Sequence, residues 1–93
     1  MNTSTGSSFP LGQIVATPNA LAQITQEDIT AALLRHVTGD WGELCAEDKL
    51  ANDRAVMEGT RILSAYRAAN GTTFWIITEA DRSVTTCLLP EDY

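Results

Sequence analysis

Arg61–Leu89, RILSAYRAANGTTFWIITEADRSVTTCLL, decides the fold. It divides into three β-branched or aromatic-rich runs, Arg61–Arg67, Thr72–Thr78 and Ser83–Leu89. The links between them, Ala68–Gly71 and Glu79–Arg82, are of hairpin length, and the first carries an Asn-Gly turn signal. The pattern predicts a three-stranded antiparallel meander. Alternation puts Ile62, Ser64 and Tyr66 on one face of the first strand and Leu63, Ala65 and Arg67 on the other. In the second strand Phe74, Ile76 and Thr78 oppose Trp75 and Ile77. In the third, Thr85 and Cys87 oppose Val84, Thr86 and Leu88.

Upstream of Arg61 the period changes from two to that of a helix. Thr17-Pro18 has the form of an N-cap followed by proline at the first helical position, opening a short helical turn over Asn19–Ile24. Thr25-Gln26-Glu27-Asp28 resembles a capping box with acids in the first turn, and Ile29, Leu33 and His36 follow on one face until Gly39. A third helix is expected over Ala46–Glu58, with Leu50, Arg54 and Met57 on one stripe and Gly59 as its stop. Leu11–Thr17, LGQIVAT, is β-prone and reads as either an edge strand or an extended arm. The expected architecture is α+β: two or three N-terminal helices packed on a three-stranded meander, with room for an added N-terminal edge strand. Residues 1–10 read as a flexible polar leader and residues 11–93 as a single domain.

Ninety-three residues leave no room for a second domain or for a doubly wound cofactor fold. Twelve Asp and Glu against six Lys and Arg give a net charge of −6, which repels phosphate backbones and favours a basic partner over nucleic acid. No run approaches the roughly 20 apolar residues of a membrane span, and the N-terminus lacks the basic and apolar regions of a secretory signal. Cys45 and Cys87 stand far apart and form no CxxC pair, which favours two free thiols in the cytoplasm. With one His, no metal site is expected. No phosphate-cradling loop, and so no cofactor, is indicated either.

Three stretches carry a resemblance: LGQIVATPNAL (11–21), RHVTGDWGELCAEDKLAND (35–53) and RILSAYRAANGTTFWIITEADRSVTTCLLPEDY (61–93). Together they resemble a family of small bacterial proteins, often encoded on plasmids and integrative elements. Its members are described as "plasmid-related protein" or "type I restriction endonuclease subunit M". The resemblance covers nearly the whole chain beyond residue 10, and HVTGDWG and ITEADRSVTT are its most specific parts. The chain has no glycine-rich methyl-donor loop and no N/D-P-P-Y/F motif. What the resemblance implies is therefore a setting, mobile DNA and host defence, rather than methyl transfer.

Two sets of residues are candidates for function. Asp40–Glu58 holds six acids against Lys49 and Arg54. In the leading reading Asp40, Trp41, Glu47, Asp48 and Asp53 contact a basic protein surface, in the manner of an anti-restriction or anti-CRISPR inhibitor occupying a nucleic-acid-binding defence complex. In the alternative, His36 is a general base, Arg82 an anion clamp, and Thr85 and Tyr66 hydrogen-bonding partners of a small metal-independent ribonuclease or toxin-like enzyme. The structural counterparts are plain. His36 would cap the end of its helix, Trp41 would plug the gap between helices and sheet, and Asp81 would close its own turn. A third possibility is a homodimer built on the outer sheet face through Trp75 or Phe74.

Overall fold

A computed structural model describes residues 9–93. In chain order these form β1 (Gln13–Ala16), α1 (Pro18–Gln23), α2 (Gln26–Val37), α3 (Ala46–Glu58), β2 (Ile62–Arg67), β3 (Thr73–Thr78), β4 (Val84–Leu88) and a closing 3-10 turn, Pro90–Asp92. The leader expected over 1–10 lies outside the described residues as far as Ser8. Its boundary needs correction at Phe9, which is buried in the core.

The helices begin and end at the residues their local chemistry marks. Thr17 Oγ1 accepts the Ala20 N–H at 3.1 Å and Thr25 Oγ1 accepts the Asp28 N–H at 3.1 Å. The Asp28 carboxylate faces elsewhere: its Oδ2 accepts the Ala69 N–H at 3.0 Å, clipping α2 to the β2–β3 turn. Gly59 ends α3 at φ 75°, a left-handed conformation that a Cβ disfavours.

The sheet has the order β1-β4-β3-β2. β2–β3 and β3–β4 are antiparallel, pairing Ile62 with Thr78 and Trp75 with Leu88. β1 lies parallel to β4, from Gln13 against Val84 to Ala16 against Cys87. β2–β3–β4 form the expected antiparallel meander. The sheet as a whole is four-stranded and mixed, because Leu11–Thr17 supplies an edge strand rather than an arm and joins in parallel. Parallel neighbours need a long crossover; here the three helices, β2 and β3 all lie between β1 and β4.

One face of the sheet is covered by α1 and α2. Tyr66, Phe74, Ile76 and Cys87 pack there against Ala20, Ile24, Ile29 and Ala32. A second cluster, Phe9, Trp41, Ala55 and Ile62, joins α3 to the edge of β2. α3 buries little, only Asn52 and Ala55, and its Leu50–Met57 stripe points to solvent. On the outer face Trp75 is half-buried, its ring 5.8 Å from that of Tyr93.

Among the described residues no helix is long and apolar enough to cross a membrane. Both cysteines are free, Cys45 exposed and Cys87 buried. Burial pushes the Cys87 thiol up to about 11.

Candidate functional site

His36 lies at the end of α2's inward face with no exposed surface. Its Nδ1 is 2.6 Å from Ser64 Oγ on β2 and its Nε2 is 2.9 Å from Thr78 Oγ1 on β3. Thr78 Oγ1 is in turn 2.7 Å from Thr85 Oγ1 on β4, and Thr85 Oγ1 donates to the Leu11 carbonyl at 2.7 Å. That carbonyl can only accept, so the direction of the chain follows. The Thr85 hydroxyl proton goes to Leu11, Thr78 donates to Thr85, and His36 Nε2–H donates to Thr78. Nδ1 is left to accept from Ser64. One tautomer satisfies every group, and a hydroxyl from each meander strand is tied through one imidazole to the segment that leads into β1.

The surroundings hold that imidazole neutral. Burial, with the Arg82 charge as a lesser cause, lowers it from 6.5 to about 4. Phe9 and Trp41 close around it, their rings 5.3 Å and 5.8 Å from the imidazole and steeply inclined to it. A general base needs a free lone pair within reach of a substrate proton. His36 has neither solvent contact nor an unoccupied nitrogen, and the helix end it was expected to cap is bonded by Thr38 Oγ1, which donates to Leu34 O at 2.9 Å.

The other three residues of the enzyme set serve separate structural bonds. Arg82, at φ 62°, donates to Ala55 O at 2.9 Å and Thr60 O at 2.7 Å, so its guanidinium caps the C-terminal end of α3. Its neighbour Asp81 closes the turn by accepting from Ser83 N–H and Oγ–H. Tyr66 donates to the Asp40 carbonyl at 2.7 Å, and burial pushes its phenol up to about 12. Thr85 belongs to the buried chain. His36 and Thr85 are linked through Thr78, but no open pocket gathers the four.

The partner-contact set divides in the same way. Trp41 is 3% exposed; its indole N–H donates to Asp53 Oδ1 at 2.9 Å and its ring stacks on Phe9. It fills the space between α3 and the sheet, which corrects its reading as an exposed anchor. Asp40 holds Arg35 in an ion pair of 2.7 Å, and Arg35 keeps its carboxyl below the usual range. Gly42 bridges to Ala65 so closely that a Cβ would stand 2.0 Å from the Ala65 carbonyl oxygen, so no other residue fits. Asp53 is occupied with Trp41. Glu47 and Asp48 are exposed in the first turn of α3.

Asn52 was not singled out from sequence. Its side-chain amide donates to Leu63 O at 2.7 Å and accepts from Leu63 N–H at 3.3 Å, taking the place of a neighbouring strand. Beside it a cleft of about 260 Å³ opens between α3 and β2, lined by Leu44, Asp48, Ala51 and Leu63. The buried chain had a visible signal: Ser64, Thr78 and Thr85 each fall on an inward face by alternation, and buried hydroxyls need partners. No family model, curated protein or solved structure matches the chain, so its function is argued from this geometry.

Proposed function

We propose that this protein is a small acidic interaction protein, not an enzyme, that docks on a basic protein surface through the outward face of α3. The observation that carries the reading is the character of that face. Leu50 is 54% and Met57 88% exposed, a solvation cost that the fold itself does not require. At about 100° per residue, Glu47, Leu50, Arg54, Met57 and Glu58 share a sector of about 100°. Asp48 lies about 80° farther round the helix, exposed on the rim of the cleft. Exposed aliphatic and thioether side chains flanked on one side by two carboxylates, with Arg54 between, suit a partner with apolar ground beside Lys or Arg side chains.

The resemblance to plasmid-related proteins supplies the kind of partner, a nucleic-acid-binding defence complex. Asp40, Trp41 and Asp53 then serve to hold α3 in place, and Glu47, Asp48 and Glu58 meet the partner. The test is capture of partners from a bacterial lysate by tagged wild type and by the triple variant Glu47→Lys, Asp48→Lys, Glu58→Lys, with elution by rising salt. The wild type is expected to retain a basic protein released at moderate salt, and the triple variant to bind it at least tenfold more weakly while keeping its circular dichroism. Equal retention by both, or none by the wild type, overturns the reading.

A further inference from the structure

We infer that the outer edge of β1 is a self-association strand that pairs antiparallel with β1 of a second copy, about a two-fold axis at Val15. The two edges of the sheet, β1 and β2, are treated differently. On β2 the outward backbone groups are engaged: Leu63 by the Asn52 amide, and Ala65 by the Trp41 carbonyl at 3.3 Å and the Glu43 N–H at 2.7 Å. On β1 the N–H groups of Gln13 and Thr17 bond to Ser83 and Cys87 of the β4 side. Alternation then aims the N–H and C=O of Ile14 and Ala16 away from the sheet. Among the described residues nothing pairs with them. Sheet edges are ordinarily blunted by charge, proline or a bulge; Gln13–Ala16 has none of these, and Ile14 is 51% and Val15 37% exposed.

Charge selects the occupant. A chain of net charge −6 repels its own copies wherever its acids lie. The first charged side chain in the sequence is Glu27, so β1 and α1 are built wholly from uncharged residues. Asp92 stands at the end of this strand, its carboxylate accepting from Thr17 Oγ1 and Asn19 Nδ2. Gln13–Ala16 itself carries no charge, so two acidic copies can meet along it with less repulsion than across α3. Register follows from the open groups. Pairing Ile14 with Ala16 of the other copy, and Ala16 with its Ile14, lets both pairs exchange N–H···O bonds. Val15 then faces its symmetry mate in a non-hydrogen-bonded pair, with Cα atoms about 4.5 Å apart. Large Ile14 lies over small Ala16 on one face, and the two valines meet on the other.

Two variants of the full chain test this. Sedimentation equilibrium from micromolar to millimolar concentration should show wild type moving from monomer to dimer. Val15→Lys, which sets two ammonium groups on the axis, should raise the dimer dissociation constant at least tenfold with its thermal melt retained. In a Cys45→Ser background, Val15→Cys should form a disulfide-linked dimer on mild oxidation, and Met57→Cys should not. A wild type that stays monomeric throughout overturns the inference. A dimer unaffected by Val15→Lys overturns it too, placing the interface on another surface. None of these results depends on whether α3 binds a partner.

Discussion

α2 and α3 are twelve and thirteen residues long, yet they are held to the sheet by different physics. α2 buries Ile29, Ala32 and His36, so its attachment is apolar area with one polar chain threaded through it. α3 buries Asn52 and Ala55. Its attachment joins the small apolar cluster around Trp41 and Ala55 to directional contacts: the Asn52 amide on β2, the Trp41 indole on Asp53, and the Arg82 guanidinium on Ala55 O. Burial of area consumes a face of the helix, whereas a few well-placed hydrogen bonds consume little of it. Both helices keep an outer face free, α2 with Leu34 at 63% exposure, but α3 gives less of its circumference to packing and leaves Leu50 and Met57 together in solvent.

The largest way to break this contrast is to remove the plug. Trp41→Ala should destabilise the domain by about 3–5 kcal/mol in urea unfolding. Native-state hydrogen exchange should show α3 amides losing more protection than those of α2. A uniform loss across both helices means that α3 is anchored as α2 is.

The polar chain beneath α2 is next. His36 has a folded value near 4 against 6.5 when unfolded. The unfolded state therefore binds its proton first as pH falls. The stability that the neutral ring contributes is complete above 6.5 and is lost as pH drops from 6.5 to 4, in total about 3 kcal/mol. Asp40, Asp81 and Asp92 are held below 3.8, so what they contribute begins to fade only at about pH 5 and is lost mainly below about 4, overlapping just the foot of that window. His36→Gln should flatten the pH dependence of urea unfolding between 6.5 and 4. An unchanged slope in that variant would assign the effect to other groups.

Arg82→Ala should cost about 1–3 kcal/mol by removing the charged donor that ties Ala55 O, Thr60 O and Glu79 O together. Faster exchange should be confined to the final turn of α3 and the Glu79–Ser83 turn. The smallest effect sharpens the contrast most. Leu50→Ser and Met57→Ser should each move stability by less than about 0.5 kcal/mol, since both side chains are more than half exposed. Partner capture should fall sharply in the pair. A melting temperature that drops as far as in Trp41→Ala would show this face to be packed.

Much of the scaffold is legible before any coordinates. Thr17, Thr25 and Gly59 act through groups within four residues of themselves, and the helices they bound begin and end there. The meander strands fall within a residue of the expected limits, since alternation and the Asn70-Gly71 turn are local properties. The site was less legible. The Leu50–Arg54–Met57 stripe has the spacing of a packed face, but that spacing does not say whether a sheet lies beneath it. His36 carries the same marks as a general base and as a core residue. Only its neighbours distinguish the two, and Ser64 and Thr78 lie 28 and 42 positions away.

The sequence by itself determined the caps, the turns, the two-residue rhythm of the sheet and the acidic balance of the chain, because each depends on neighbouring residues or on a sum. The parallel docking of β1 on β4, the solvent-facing roll of α3, and the closing of one sheet edge with the other left open were decided only by tertiary structure. Each requires partners brought together across the whole chain, as when Thr85 donates to Leu11 across 74 positions, and no local preference encodes such a meeting.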